Sequence, residues 1–242
     1  MFKAELFLDC NDNLGEGVIW SQDTNSLFWL DIPMPSILHK YSFNTKKHQI
    51  YEMPEMITAM AERDNENLLI ASHFGINNYN LEEKKFNQIL RIEEDKPFNR
   101  CNDGAADFAG NFWFGTMQNN IAEDGSDINI TKNSGSLYSI DKNLKVTIHE
   151  NDISISNTFA WSPQNDKFYF SDTSTGIISV YDYDFDNKVI SNKKKFASFD
   201  RGYPDGSTVD SEGFLWNCRW GGSCVVRFDP NGKVDRVIEL PV

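Results

Sequence analysis

Four side chains that offer oxygen donors stand at one phase of a repeating pattern. Glu16 lies 13 residues before Trp29, Asn102 lies 11 before Trp113, Asn157 lies 12 before Tyr169 and Asp205 lies 10 before Leu215. Each sits in a turn-prone setting: Gly15-Glu16-Gly17, Asn102-Asp103-Gly104, Ser156-Asn157-Thr158 and Pro204-Asp205-Gly206. A further copy has Thr58 at the matching place, 11 residues before Leu69. Two carboxylates and two amides brought to one point repel unless a cation neutralises them. Oxygen donors of this kind suit a hard divalent ion, Ca²⁺ or Mg²⁺, with Mn²⁺ or Zn²⁺ as alternatives. Glycine beside Glu16 and Asp205 lets backbone approach a crowded centre without a Cβ. Each tripeptide alone is an ordinary turn former; the common phase is what carries the argument.

The elements that must position these residues are short strands. Long helical periodicity is absent, and what recurs is an apolar segment, an Asp, Asn or Gly turn, and an aromatic or aliphatic triplet. The triplets are Phe28-Trp29-Leu30, Leu68-Leu69-Ile70, Phe112-Trp113-Phe114, Phe168-Tyr169-Phe170 and Phe214-Leu215-Trp216, with centres 40, 44, 56 and 46 residues apart. A period of roughly 40–50 residues with several strands per unit marks a β-propeller. Equal phase then means equal height and equal distance from the central axis, so the four donors converge. The longest interval contains the polar segment 118–134, which reads as an inserted loop or lid beginning Gln118-Asn119-Asn120. Later strands at 37–41, 75–79, 135–140, 178–181 and 224–228 run into Asp, Asn or Gly turns, as hairpins require. No linker-like shift in composition divides the chain, so residues 1–242 are expected to form a single all-β domain. Taken singly, Arg100 reads as a surface or blade-edge arginine, and Asp12, Asp107 and Asp172 read as turn or capping groups.

The bulk numbers exclude several classes. A net charge of −13 argues against nucleic acid and anionic membrane, since phosphate binding needs basic clusters. The one basic run, Lys193-Lys194-Lys195, reads as a solvated hairpin. No apolar stretch approaches a membrane span, and Met1-Phe2-Lys3-Ala4-Glu5 does not open a signal peptide, so the expectation is a cytoplasmic protein. Cys10, Cys101, Cys218 and Cys224 follow no framework or zinc spacing and are expected to be free thiols. His39, His48, His73 and His149 are scattered, which argues against a histidine metal site or a histidine triad. No Gly-x-Ser-x-Gly motif is present, so a covalent acyl-enzyme route is not expected.

At these same residues the sequence resembles the senescence marker protein/gluconolactonase/regucalcin family. The matching pieces are Leu14-Gly15-Glu16-Gly17-Val18-Ile19-Trp20, Arg100-Cys101-Asn102-Asp103-Gly104, Phe114-Gly115-Thr116-Met117, Ile155-Ser156-Asn157, Tyr169-Phe170-Ser171-Asp172 and Pro204-Asp205-Gly206. They cover nearly the whole chain in order. The resemblance implies a six-bladed propeller with one divalent metal near its axis, Ca²⁺ first among the candidates. Residues matching Glu16, Asn157 and Asp205 would hold the metal, and those matching Arg100 and Asn102 would contact substrate. The implied activity is hydrolysis of a sugar lactone to the open aldonic acid, with Asp205 as candidate general base as well as ligand. The rival readings are a non-catalytic propeller that binds a divalent ion or metabolite, an inactive truncated relative, and a scaffold for protein partners. Three departures from the family pattern stand out. Gln118-Asn119-Asn120 follow Gly-Thr-Met where family members commonly carry an acid, and Thr158 replaces the usual Gly after Ser-Asn. The chain also ends about one C-terminal blade short, leaving five repeats plus an N-terminal strand candidate at residues 3–8. An unclosed ring exposes a strand edge, so the expectation is a monomer with rearranged ends or a dimer that covers the edge.

Overall fold

The computed structural model describes residues 2–241. A two-residue strand, β1 (Phe2–Lys3), precedes five antiparallel sheets. The first blade is β2 (Gly15–Ser21), β3 (Ser26–Asp31), β4 (Ile37–Ser42) and β5 (Lys47–Glu52); the second is β6 (Ile57–Glu62), β7 (Asn67–Ser72), β8 (Gly75–Asn80) and β9 (Lys85–Arg91). The third is β10 (Asn99–Ala106), β11 (Phe112–Gln118), β12 (Gly135–Ile140) and β13 (Val146–Ile153). The fourth is β14 (Ser156–Trp161), β15 (Lys167–Asp172), β16 (Ile177–Asp184) and β17 (Val189–Ser198). The fifth is β18 (Tyr203–Val209), β19 (Leu215–Trp220), β20 (Cys224–Phe228) and β21 (Val234–Glu239). No α-helix occurs among the described residues, and the propeller has five blades where six were expected.

Alternation along each strand sends every second side chain to the neighbouring blade. Phe28 and Leu30 of the first blade meet Ile57, Met60, Leu68 and Ile70 of the second. Similar cores join the second blade to the third, the third to the fourth around Trp113 and Phe168, and the fourth to the fifth around Leu215, Val226 and Phe228. Among the described residues, no such core joins the fifth blade to the first. The ring therefore has one seam.

The N-terminal residues lie at that seam. The expected strand at residues 3–8 shortens to β1, which pairs in parallel with β21 on the fifth blade. Residues beyond it then cross to the first blade, where Phe7 packs on Tyr41 and Phe43. The short pairing has a physical cause: Pro241, two residues past the end of β21 at Glu239, has no N–H to offer, and Ala4 N–H donates to the Glu239 carbonyl as the last ladder contact.

Two of the three aspartates assigned to turns hold them. Asp107 accepts from the N–H groups of Ala109 and Asn111 and from Trp113 Nε1. Asp172 accepts from the N–H groups of Ser154 and Ile155 and caps the short 3₁₀ turn Thr173–Thr175. Asp12 does not serve a turn; it accepts from Trp29 Nε1 at 3.0 Å and lies 3.3 Å from His39 Nε2.

Candidate functional site

Each innermost strand carries a bulge at the phase singled out in the sequence. Register slips between Glu16 and Ile19, Ile57 and Ala59, Cys101 and Gly104, Asn157 and Ala160, and Pro204 and Ser207. In every case the inner strand has one residue more than its partner across the slip. A bulge bends the strand and re-aims a side chain that would otherwise point into a blade. Glu16, Thr58, Asn102, Asn157 and Asp205 stand at or beside these five slips.

The carboxylates near these slips act on one another. Burial, and then the charges of Asp205 and Asp103, push the Glu16 carboxyl well above its ordinary range, while Arg100 pulls it down. Burial lifts Asp205 to about 6 against the opposing Gly206 N–H and Arg219. The charges of Asp205, Glu16 and Asp103 all reach the Cys218 thiol, which is pushed up to about 12, chiefly by burial. Carboxylates from the first, third and fifth blades thus share one walled space.

Asn157 and Asn102 are held from behind. Asn157 Nδ2 donates to Thr173 Oγ1 at 2.8 Å, and Thr173 Oγ1 donates to the Pro204 carbonyl. Asn157 Oδ1 is left with a single long contact, 3.4 Å from Asn102 Nδ2, whose shorter bond goes to the Ser156 carbonyl at 2.8 Å. Contrary to its reading as a surface or blade-edge residue, Arg100 is only 3% exposed. Its guanidinium donates to the Cys101 carbonyl, to Asn102 Oδ1 and to Asn120 Oδ1 at 2.7–2.8 Å, all neutral acceptors. Burial lowers it to about 10.

The insertion does not act as one unit. Asn120 is tied to Arg100, whereas Gln118 Oε1 accepts from Thr131 and Lys132 and organises the loop itself. Asn119 bonds only to neighbouring backbone. The loop crosses to other blades through Ile121, which is buried against Ile32 and Met56. Between this loop and residues 95–99 lies a cavity of about 540 Å³, lined among others by His73, Phe98, Gln118, Asn119 and Ile128.

Two contributors escape the sequence pattern. Asp103, inside the same bulge as Asn102, is pushed to about 7 by burial and by Asp205, against the N–H groups of Gly104 and Thr158. In the sequence it is one member of an Asn-Asp-Gly turn, and only the bulge shows that both of its first two side chains face inward. Thr158 is fully buried with φ at +63°, the left-handed region that suits the usual Gly. Its hydroxyl donates to the Asp205 carbonyl at 2.7 Å, and Asn217 Nδ2 donates to the same oxygen at 3.0 Å. Thr158 therefore adds an anchor behind Asp205 at a position where the sequence departs from the family pattern.

Of the histidines read as scattered, His39 and His48 of the first blade meet Cys10 of the N-terminal segment, with one ligand atom of each within 4.8 Å of the others. All four cysteines are free, as expected. Among the described residues, no helix is long and apolar enough to cross a membrane.

Residues 14–242 match the family model described as SMP-30/Gluconolactonase/LRE-like region. Human (Homo sapiens) regucalcin is 31% identical, over 99% of this chain and 80% of its own length. L-arabinolactonase of Azospirillum brasilense is 33% identical, over 97% of this chain and 77% of its own. Among solved structures, a calcium-binding protein, regucalcin, from Agrobacterium tumefaciens superposes with a TM-score of 0.85 at 29% identity, covering 94% of this chain and 75% of that one.

Proposed function

This chain belongs to the SMP-30/gluconolactonase/LRE-like family, and from that premise we propose that it hydrolyses a sugar lactone to the open aldonic acid, using a divalent ion held by Glu16, Asn157 and Asp205. The observation that supports this most directly is the set of in-phase bulges, which turn oxygen donors from separate blades into one space. The residues fit such an ion. Glu16 and Asp205 are both lifted by burial, and Asp205 adds repulsion at Glu16, a penalty that a bound cation removes. Asn157 Oδ1 has no strong donor of its own. Ca²⁺ is the first choice, with Zn²⁺, Mn²⁺ and Mg²⁺ as alternatives. Once bound, the ion supplies positive charge that polarises a lactone carbonyl and acidifies water.

The chain's own groups divide the remaining work. Arg100 holds Asn102 and Asn120, so both amides are pre-set to orient ring hydroxyls or lactone oxygens. Asp205 is the candidate base for the attacking water, and Thr158 and Asn217 fix its backbone. As a ligand it is a weak base, and Asp103, whose carboxyl interacts with that of Asp205, is the second candidate to receive the proton. The cavity between the 118–134 loop and residues 95–99, lined by Gln118 and Asn119, is the candidate approach for the lactone, and Asn120 follows them on the loop.

A second reading, divalent-ion binding without turnover, draws on the bonding of Asn120 to Arg100 at a place where family members commonly carry a substrate-facing acid. Acid release from a panel of aldonolactones separates the two. The protein is chelated, then supplied singly with Ca²⁺, Mg²⁺, Mn²⁺ or Zn²⁺, with Asp205→Ala alongside. Metal-restored turnover that disappears in the variant supports the hydrolase. Metal affinity without turnover, from folded protein, supports the binder. Turnover unaffected by chelation overturns the metal assignment.

A further inference from the structure

Away from the channel, the first blade gathers a second set of ligand-type side chains. Trp29 pairs directly with His39 across β3 and β4, and His39 and His48 are diagonal neighbours across the β4–β5 hairpin. All three therefore share the face opposite Phe28 and Leu30, which is the face turned from the second blade and toward the seam. His39 Nδ1 and His48 Nε2 are 2.9 Å apart, with ring planes 9° apart. The two rings thus meet edge to edge in nearly one plane, and each lies parallel to the Trp29 ring. Cys10, on the N-terminal segment, brings its sulfur to the same point.

We propose that Cys10, His39 and His48 form a second metal site for a borderline-soft divalent ion of the Zn²⁺ class, and that the ion clasps the N-terminal segment onto the seam face of the first blade.

The donor set is thiolate and imidazole, the ligands that select such ions, whereas the ligands proposed in the channel, Glu16, Asn157 and Asp205, are oxygens. The surroundings are those of a ligating histidine. Asp12 Oδ1 lies 3.3 Å from His39 Nε2, outside hydrogen-bond geometry, and that buried nitrogen has no other partner. Asp12 is itself fixed by Trp29 Nε1 at 3.0 Å. A small shift that turns this contact into a hydrogen bond would set the tautomer and aim the near nitrogen at a metal. Ligand atoms within 4.8 Å of one another need only a modest closing to reach bond lengths of about 2.0–2.3 Å, with the His39–His48 hydrogen bond opening to admit the ion. Position gives the site its purpose. The segment that carries Cys10 pairs with the fifth blade at β1 and packs on the first at Phe7, so a metal at Cys10 ties the two sides of the seam.

Co²⁺ titration of the full chain under reducing conditions is the test, because a bound thiolate gives a sulfur-to-metal charge-transfer absorption that the oxygen site does not. One such ion per chain is expected, displaced by Zn²⁺, with the band lost in Cys10→Ser and His48→Ala but retained in Cys218→Ser. Asp12→Ala is expected to weaken Zn²⁺ binding by roughly 10–100-fold. Zn²⁺ is also expected to raise the thermal midpoint of the parent more than that of Cys10→Ser, each variant being first shown to be folded without metal. Absence of the band, its survival in Cys10→Ser, or equal Zn²⁺ stabilisation of parent and Cys10→Ser overturns the proposal.

Discussion

Thr158 offers a test in which backbone and hydrogen-bond terms act in opposite directions. Its left-handed φ of +63° is costly for a branched residue, by about 1–2 kcal/mol. Thr158→Gly removes that strain. It also frees the unfolded chain by about 0.4–1 kcal/mol and forfeits about 1 kcal/mol of hydrogen bonding. The net change is expected to stay within about 1 kcal/mol of zero. Thr158→Val keeps both the strain and the shape but places a methyl group against the Asp205 carbonyl. That oxygen then retains only Asn217 as donor, and Ser207 Oγ loses its neighbour at 3.1 Å. A buried loss of this kind costs about 2–3 kcal/mol. The valine variant should therefore be the less stable by about 2 kcal/mol, a gap of about 4–8 °C in Tm for a chain of this size. Urea and thermal unfolding of chelated protein measure it without a contribution from metal binding. A valine variant as stable as the glycine variant, or more stable, would refute the assignment of Thr158 as the anchor behind Asp205.

Three further outcomes are expected. In chelated protein the raised pKa values of Asp103, Asp205 and Glu16 mean that the folded state favours the protonated acids. Stability should be full near the unfolded carboxylate range of about 4, fall as pH rises toward the values of about 7 and about 6 at Asp103 and Asp205, and level off above them. Asp103→Asn should flatten that profile in urea titrations, and an unchanged slope counts against the shared space. Asp107→Ala strands buried donors from Asn111, Trp113 and Tyr183, and should cost at least about 3 kcal/mol by chemical denaturation. Gly115→Ala would overlap Ser156 Oγ and Cβ, forcing the third and fourth blades apart next to Asn157. Lower stability together with weaker metal affinity by calorimetry is expected; a loss of stability alone would detach Asn157 from the ion.

The propeller was legible in the chain because each blade repeats a triplet and a turn, and equal phase carries a geometric meaning that needs no coordinates. Glu16, Asn102, Asn157 and Asp205 could be picked out on that basis, while the choice of Glu16, Asn157 and Asp205 as metal ligands came from the family resemblance. The bulges could not, since one extra residue in an inner strand changes no residue type, and so Asp103 passed for part of a turn. Arg100 was misread because a buried guanidinium normally announces itself by an acidic partner, and its partners here are a carbonyl and two amides. The signal for the His39–His48 pair was present but lay in hairpin register: the β4–β5 pairing sets the two histidines diagonally on one face with Trp29. Spacing along the chain does not report that adjacency. The blade count taken from the resemblance exceeded the five triplets in the sequence, and the five sheets follow the triplets.

The parallel pairing of β1 with β21 also bears on how the molecule assembles. Every other named strand pairs with one adjacent in sequence, so each blade can form from local hairpins and dock on the blade before it as the chain emerges from the ribosome. Phe2 finds Ile238 only when nearly the whole chain is available. Because closure entropy rises only with the logarithm of loop length, by about 0.6 kcal/mol per doubling, so distant a pairing weighs little on the final balance. Its effect is on order: β1, made before the first blade, finds its place only after the fifth, and the first blade waits with its seam face uncovered until then.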